Sequence, residues 1–109
     1  MSTKTISTVE EFEELLTKHD RFLFLKNSLT CPISQAAYEE YQEFANNHDE
    51  FPTYHLHVQD SRPLSNHIAE NFNIKHESPQ ALLFKDKTVT WNTSHWKITS
   101  DTLKKAISE

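Results

Sequence analysis

Short apolar runs alternate with segments of helical periodicity along this chain, and no other feature restricts the fold as strongly. The apolar runs predict five strands, at residues 4–7, 21–26, 53–58, 81–84 and 88–91. The periodic segments predict four helices, which begin near residues 8, 32, 63 and 100. The order β-α-β-α-β-α-β-β-α favours an α/β fold, with a central mixed sheet of four to five strands and helices on both faces.

The sequence contains no glycine, which is the residue that most readily adopts a positive φ angle. Asparagine and aspartate are the next most tolerant types, so they are expected where the backbone turns through the left-handed region. The residues of these types near predicted element ends are Asn27, Asn46, Asn47, Asn73 and Asp86. The absence of glycine also excludes a glycine-rich phosphate-binding loop.

Length and composition indicate one folded domain over residues 1–109, with 36% hydrophobic and 25% charged residues. The net charge of -5 argues against nucleic acid and against anionic membranes as partners, since both attract basic patches. No apolar stretch approaches membrane-spanning length, and the first residues lack the apolar segment of a signal peptide. A single cysteine cannot form an internal disulfide, so we expect a reducing, cytoplasmic location.

Cys31 is the only cysteine, and it lies between the second predicted strand and the second predicted helix. Proline is favoured at the first position of a helix, so Pro32 makes Cys31 the N-cap residue. Its sulfur is then expected to face the unpaired amides of Ile33 and Ser34, which together with the helix dipole favour the nucleophilic thiolate. The alternative is an inert, buried thiol, since free cysteine is among the most buried residue types.

The segment Cys31-Pro32-Ile33-Ser34 predicts a thiol exchange reaction that uses one cysteine. Disulfide oxidoreductases of the Cys-x-x-Cys type carry a second, resolving cysteine at the fourth position. Ser34 keeps a hydroxyl there, which we expect to donate to the thiolate, but it cannot resolve a mixed disulfide. A small external thiol must therefore regenerate Cys31.

A second proline, Pro79, lies just before the fourth predicted strand, in the segment HESPQALLF. In the thioredoxin architecture this segment carries a cis proline that lies against the active-site cysteine, and X-Pro bonds adopt the cis form at modest cost. Ser78, the preceding residue, is then expected to offer its backbone to an extended substrate.

These motifs resemble the monothiol bacilliredoxin family of thioredoxin-fold proteins, which is associated with the thiol bacillithiol. The resemblance covers the full length and rests on FLFLKNSLTCPIS and HESPQALLFKDKTVTWNTSHWKIT, in particular on Thr30 to Ser34 combined with Ser94-His95-Trp96. Hairpins of this family often contain glycine where this chain has Lys85-Asp86-Lys87.

The resemblance implies that Cys31 attacks mixed disulfides between a protein and bacillithiol, takes the bacillithiol, and is then reduced by another thiol. It implies bacillithiol as thiol co-substrate and bacillithiolated proteins as partners, with no tightly bound cofactor and no metal. Bacillithiol carries a malate group, so Lys26 is either a solvated lysine or the cation that binds this carboxylate. Thr30 either donates its hydroxyl to substrate or only completes the loop.

Several histidines have a structural interpretation beside a functional one. His95, with Trp96, either forms the far wall of the site or packs against the last strand, and for His76 the packing interpretation is favoured. His55 and His57 are predicted to share one face of a strand, a spacing found in metal sites. Without a further cluster of ligands, a structural pair is the favoured interpretation.

Three other functions compete with thiol exchange. A peroxidase is disfavoured because peroxiredoxins carry proline and threonine ahead of the reactive cysteine, whereas here Pro32 follows it. An iron–sulfur carrier like the monothiol glutaredoxins is disfavoured because those proteins carry glycine and phenylalanine after the cysteine, where this chain has Pro32 and Ile33. The third alternative is a thioredoxin-like interaction module in which Cys31 has no catalytic role.

Overall fold

A five-stranded mixed sheet crosses the centre of the computed structural model, which describes residues 3–108. The strands are β1 (Lys4–Thr5), β2 (Arg21–Asn27), β3 (Thr53–His57), β4 (Gln80–Lys85) and β5 (Thr88–Ser94). Their spatial order is β1-β3-β2-β4-β5, with β1, β3 and β2 parallel to one another and β4 and β5 antiparallel to their neighbours. The helices are α1 (Val9–Lys18), α2 (Pro32–Asn47), α3 (Arg62–Asn71) and α4 (Ser100–Ser108), and a 3-10 turn covers His95–Lys97.

The sheet separates two hydrophobic cores, because successive side chains of a strand point to opposite faces. Phe22 and Phe24 of β2 point to the core covered by α1 and α3, whereas Leu23 and Leu25 point to the core covered by α2 and α4. At the centre of the first core, the fully buried ring of Phe12 contacts Phe24 edge-on, with ring centroids 5.4 Å apart. The predicted α/β architecture, its element order and the helices on both faces are confirmed.

The first helix begins at a complete capping box, which fixes its first residue shortly after the end of β1. Thr8 Oγ1 accepts a hydrogen bond from the Glu11 amide at 3.1 Å, and Glu11 Oε1 accepts one from the Thr8 amide at 3.1 Å. The amides of Ser7 and Thr8 both donate to the Glu11 carboxylate and lower its pKa. The predicted N-cap, Ser7 or Thr8, is thus confirmed as Thr8.

Positive φ angles occur at two of the predicted positions and at two others. Asn73 has φ 54° and Asp86 has φ 51°, as expected for a chain without glycine. The next residue, Lys87, has φ 68°, so Asp86 and Lys87 together form the two-residue turn that joins β4 to β5. His95, at φ 55°, was not predicted. Three other residues lie at element ends as predicted but do not have positive φ angles, because they are the last residue of β2 or the last two of α2: Asn27, Asn46 and Asn47.

Within residues 3–108, no helix combines the length and the apolar character needed to cross a membrane.

Candidate functional site

Cys31 is the N-cap of α2, as predicted from Pro32 at the first helical position. Its backbone is extended, at φ -101° and ψ 127°, and its carbonyl accepts the first helical hydrogen bond from the Gln35 amide at 3.2 Å. The expected hydrogen bonds from the amides of Ile33 and Ser34 to the sulfur are not formed, since no side-chain capping bond is made at this residue in the described structure. The half-exposed thiol instead borders a surface groove.

This groove has a volume of about 340 Å³ and runs between the end of β2, the loop before α2, the first two turns of α2 and the end of β3. We call it the Cys31 groove. Its lining residues are Asn27, Ser28, Leu29, Thr30, Cys31, Pro32, Gln35, Tyr38 and His57. The partly buried Cys31 therefore lines a cavity of the size that small-molecule sites have.

Gln59, just beyond β3, holds the loop that carries Cys31. Its Oε1 accepts a hydrogen bond from the Leu29 amide at 3.0 Å, and its Nε2 donates to Ser28 Oγ at 2.9 Å and to Thr30 Oγ1 at 3.4 Å. The Thr30 hydroxyl thus helps to complete the loop, and its predicted contact with substrate stays a prediction. One side chain just beyond β3 thus binds three successive residues of this loop.

The wall of the Cys31 groove opposite the loop is polar. Asn27 is only 5% exposed, its Nδ2 lies 3.1 Å from His57 Nδ1, and its Oδ1 has no hydrogen-bond partner among the described residues. Tyr38 stands beside His57, with its hydroxyl 3.5 Å from Nε2 of the buried His55. A buried amide oxygen without a partner is rare, so this wall has an unused capacity for hydrogen bonds.

The predicted histidine pair on β3 is formed, with the rings of His55 and His57 5.0 Å apart. His55 is bound on both ring nitrogens, to Thr3 Oγ1 at 3.0 Å and to Thr5 Oγ1 at 3.0 Å. Burial, and to a smaller extent the charge of His57, lowers the pKa of His55 to about 4, so its ring is neutral at physiological pH. In residues 3–108 no group of three or more His, Cys, Asp or Glu side chains is placed to hold a metal ion.

Lys26 was predicted as a solvated lysine or as a carboxylate-binding group, and both interpretations are wrong. Its side chain is fully buried on the α1/α3 side of the sheet, where Nζ donates to the Ser65 carbonyl at 3.0 Å and lies 3.3 Å from His76 Nδ1. Burial lowers the pKa of Lys26 to about 8 and, with the charge of Lys26, also lowers that of His76. The physical reason is strand alternation, because Lys26 shares its face with Phe22 and Phe24.

Ser34, at the fourth position of the motif, is fully buried in the first turn of α2. Its Oγ has no hydrogen-bond partner among residues 3–108, so the predicted donation to the sulfur of Cys31 is not formed. The position is thus enclosed, and it does not line the Cys31 groove.

The peptide bond between Ser78 and Pro79 is cis, as the thioredoxin architecture requires. The pairing of Lys26 with Gln80 brings Pro79 to the end of the sheet from which the Cys31 loop leaves. The Pro79 carbonyl accepts a hydrogen bond from the His95 amide at 3.1 Å, and the His95 ring lies 3.6 Å from a Glu77 carboxylate oxygen. The roles of Ser78, Pro79 and His95 in binding substrate stay predictions.

The structure brings three of the predicted site residues together in one groove, namely Thr30, Cys31 and Pro32. The other predicted residues lie outside it: Lys26, Ile33, Ser34, Ser78, Pro79 and His95. Sequence reasoning missed that Asn27, Gln35 and Tyr38 line the groove, and it assigned His57 only to a histidine pair. The available signals were the helical spacing of Cys31, Gln35 and Tyr38, and the meeting of parallel strand ends at one edge of a sheet.

Comparisons with known proteins agree with this architecture. The family model of the monothiol bacilliredoxin BrxC matches residues 4–103. A solved structure described as a candidate oxidoreductase with a thioredoxin fold is 37% identical, with a TM-score of 0.92, and the match covers 97% of this chain and 94% of that one.

More distant solved structures show the fold alone. A mutant thioredoxin from Halobacterium salinarum NRC-1 is 17% identical with a TM-score of 0.79, over 98% of this chain and 88% of that one. Mitochondrial thioredoxin 3 from Saccharomyces cerevisiae is 15% identical with a TM-score of 0.76, over 97% of this chain and 93% of that one. The expected thioredoxin-like fold is confirmed, and the chain belongs to the monothiol bacilliredoxin BrxC family of redox proteins.

Proposed function

We propose that this protein is a monothiol thiol–disulfide oxidoreductase that removes bacillithiol from protein cysteines, with Cys31 as its nucleophile. The observation that carries the proposal is the placement of Cys31, a half-exposed thiol at the start of α2 and beside a ligand-sized groove. Membership of the monothiol bacilliredoxin family supports bacillithiol as the small thiol.

The reaction begins when the Cys31 thiolate attacks the bacillithiol sulfur of a protein–bacillithiol mixed disulfide. A disulfide forms between Cys31 and bacillithiol, the original disulfide breaks, and the client cysteine leaves as a thiolate that takes a proton from water. A second thiol then attacks the bacillithiol sulfur of this adduct. A new small-molecule disulfide forms, and Cys31 is released as a thiolate, so the net reaction is one disulfide exchanged for another.

Cys31 is the N-cap residue of α2, so the sulfur that attacks lies at the amino end of this helix. Because Ser34 occupies the place of a resolving cysteine, the adduct on Cys31 has no internal thiol to release it. The cycle therefore depends on an external thiol, which the reducing cytosol supplies.

The test uses a reporter protein with one cysteine that carries bacillithiol. We expect wild-type protein to release the reporter thiol and to gain the mass of one bacillithiol on Cys31, as read by intact-protein mass spectrometry. The variant Cys31→Ser is expected to do neither, whereas Ser108→Ala, at the far end of α4, serves as the matched control. Release of bacillithiol by Cys31→Ser would discard the proposal, as would wild-type protein that leaves the reporter untouched.

A further inference from the structure

We propose that the Cys31 groove binds the small-thiol half of the mixed disulfide, and that it does so by recognising a neutral, hydroxyl-bearing group attached to that thiol. This inference rests on the proposed function and adds the substrate class and the residues that select it. The binding residues are Asn27, Tyr38 and His57.

The position and size of the groove favour a small ligand over a protein chain. Cys31 lines it directly, so a group joined to the Cys31 sulfur through a disulfide can extend into it. Its volume of about 340 Å³ lies at the lower end of the range for small-molecule sites. It is also bordered by the loop that Gln59 holds, whereas an extended protein segment is expected on the other side of β2, at Pro79.

The hydrogen-bonding groups of the groove favour a hydroxyl. Asn27 Nδ2 is hydrogen-bonded to His57 Nδ1, whereas the buried Oδ1 of Asn27 is an acceptor without a donor among the described residues. If the amide is turned by 180°, Oδ1 accepts from His57 and Nδ2 becomes the donor that needs an acceptor. A hydroxyl both donates and accepts, so it satisfies either orientation, which neither a carboxylate nor an ammonium group does.

The aromatic residue in the wall of the groove, Tyr38, is held in place by hydrogen bonds that involve the buried His55. The Tyr38 hydroxyl contacts His55, and His55 is in turn bound by Thr3, just before β1, and by Thr5 of β1. Tyr38 is therefore held beside His57, with the two ring centroids 6.2 Å apart, and its apolar ring offers a packing surface for the carbon atoms of the bound group. A prearranged wall lowers the entropy cost of binding.

The charge of the groove points away from recognition of an acid. No lysine or arginine is among its lining residues, and the predicted candidate, Lys26, is buried on the opposite face of the sheet. The carboxylates of an acidic thiol thus meet no lysine or arginine in the Cys31 groove, where His57 is the one lining side chain able to carry a positive charge. The group that enters the groove is the uncharged, hydroxylated part of the thiol.

The experiment compares two reagents on the same sulfur. Bacillithiol disulfide carries a sugar, and methyl methanethiosulfonate delivers only a methylthio group to Cys31. The ratio of their two rate constants cancels any change in the reactivity of the thiol itself. We expect His57→Ala and Tyr38→Ala to lower this ratio roughly tenfold each, because each loses a contact made only by the larger reagent.

His67→Ala is the matched control, since His67 lies on α3 on the other face of the sheet, bound to Glu13. An unchanged ratio in both groove variants would overturn the inference. A variant that slows only the reaction with the bacillithiolated reporter protein, while the ratio stays at the wild-type value, would also overturn it and assign the groove to the client. Failure of the proposed function is a separate result, in which wild-type protein leaves the reporter untouched.

A second measurement needs no variant, in case the substitutions impair folding. Wild-type protein is converted to the bacillithiol adduct or to the methylthio adduct on Cys31, and the ring proton signals of Tyr38 and His57 are followed by NMR. We expect these signals to differ between the two adducts. The same ring signals in both adducts would show that the group beyond the sulfur stays outside the groove.

Discussion

The buried lysine on β2 makes the stability of this protein depend on pH in a defined direction. The pKa of Lys26 is about 8 in the folded protein because the group is buried, against an ordinary value of 10.5. Between these pH values the unfolded chain holds more protons on this group than the folded protein does, so the free energy of unfolding rises with pH. Below about pH 8 both states are protonated, and the folded state bears the full cost of a buried charge.

The gap between the two pKa values corresponds to roughly 3 kcal/mol, most of which is recovered by pH 10. Lys26→Met keeps the length of the side chain and removes its charge. It also removes the hydrogen bond to the Ser65 carbonyl and the contact with His76. We therefore expect the variant to be more stable than wild type by roughly 1–2 kcal/mol at pH 7 and less stable at pH 10.

The assay is urea denaturation of both proteins at pH 7, 8, 9 and 10, followed by circular dichroism. The informative quantity is the difference between their unfolding free energies, because the ionisation of Tyr41 and Tyr54 contributes to both proteins and cancels. Lys104→Met, at an exposed site on α4, controls for the loss of one positive charge. A wild-type-minus-Lys26→Met difference that stays constant from pH 7 to 10 would refute the reasoning.

Three further predictions concern the turn, the motif and the loop. Lys87→Gly removes the cost of a positive φ, so it is expected to raise the unfolding free energy by roughly 0.5–1 kcal/mol in urea denaturation. Lys85→Gly, at the last position of β4, is expected to lower the unfolding free energy, and a change of the same sign in both variants would contradict this. Ser34→Cys supplies a resolving thiol, so the bacillithiol adduct on Cys31, followed by mass spectrometry, is expected to have a lifetime shorter by roughly tenfold or more. An unchanged lifetime would show that residue 34 cannot act as the resolving position. Gln59→Ala removes three hydrogen bonds to the loop, so hydrogen exchange of the amides of residues 28–30 is expected to accelerate roughly tenfold. Unchanged protection of these amides would show that the loop keeps its structure without Gln59.

The fold was predictable because local signals agree with each other along this chain. Pro32 marked the first residue of α2 correctly, and apolar periodicity located all five strands and four helices within a few residues. The 3-10 turn at His95–Lys97 was missed, since it is only three residues long and its N-cap residue, Ser94, makes no side-chain capping bond. It begins at His95, which has a positive φ and donates its amide to the Pro79 carbonyl.

The site was predictable only where its residues are neighbours in sequence. Thr30, Cys31 and Pro32 follow one another, so the motif named them directly. His57 joins them because β3 pairs beside β2, and this strand order is a property of the whole sheet that no local pattern contains. Lys26 was wrongly placed because it was treated as the end of a strand, where charge is usual, although its alternation with Phe24 puts it inside the core.

The central position of β2 has a consequence for how the two halves of a disulfide are told apart. β3 lies on one side of this strand and β4 on the other, so the Cys31 groove and the cis Ser78-Pro79 segment flank the same loop from opposite directions. In the reaction proposed above, the small thiol binds on the β3 side and the client on the β4 side, so the two preferences would reside in separate side chains. A variant selected for a different low-molecular-weight thiol would then be expected to keep its range of protein clients.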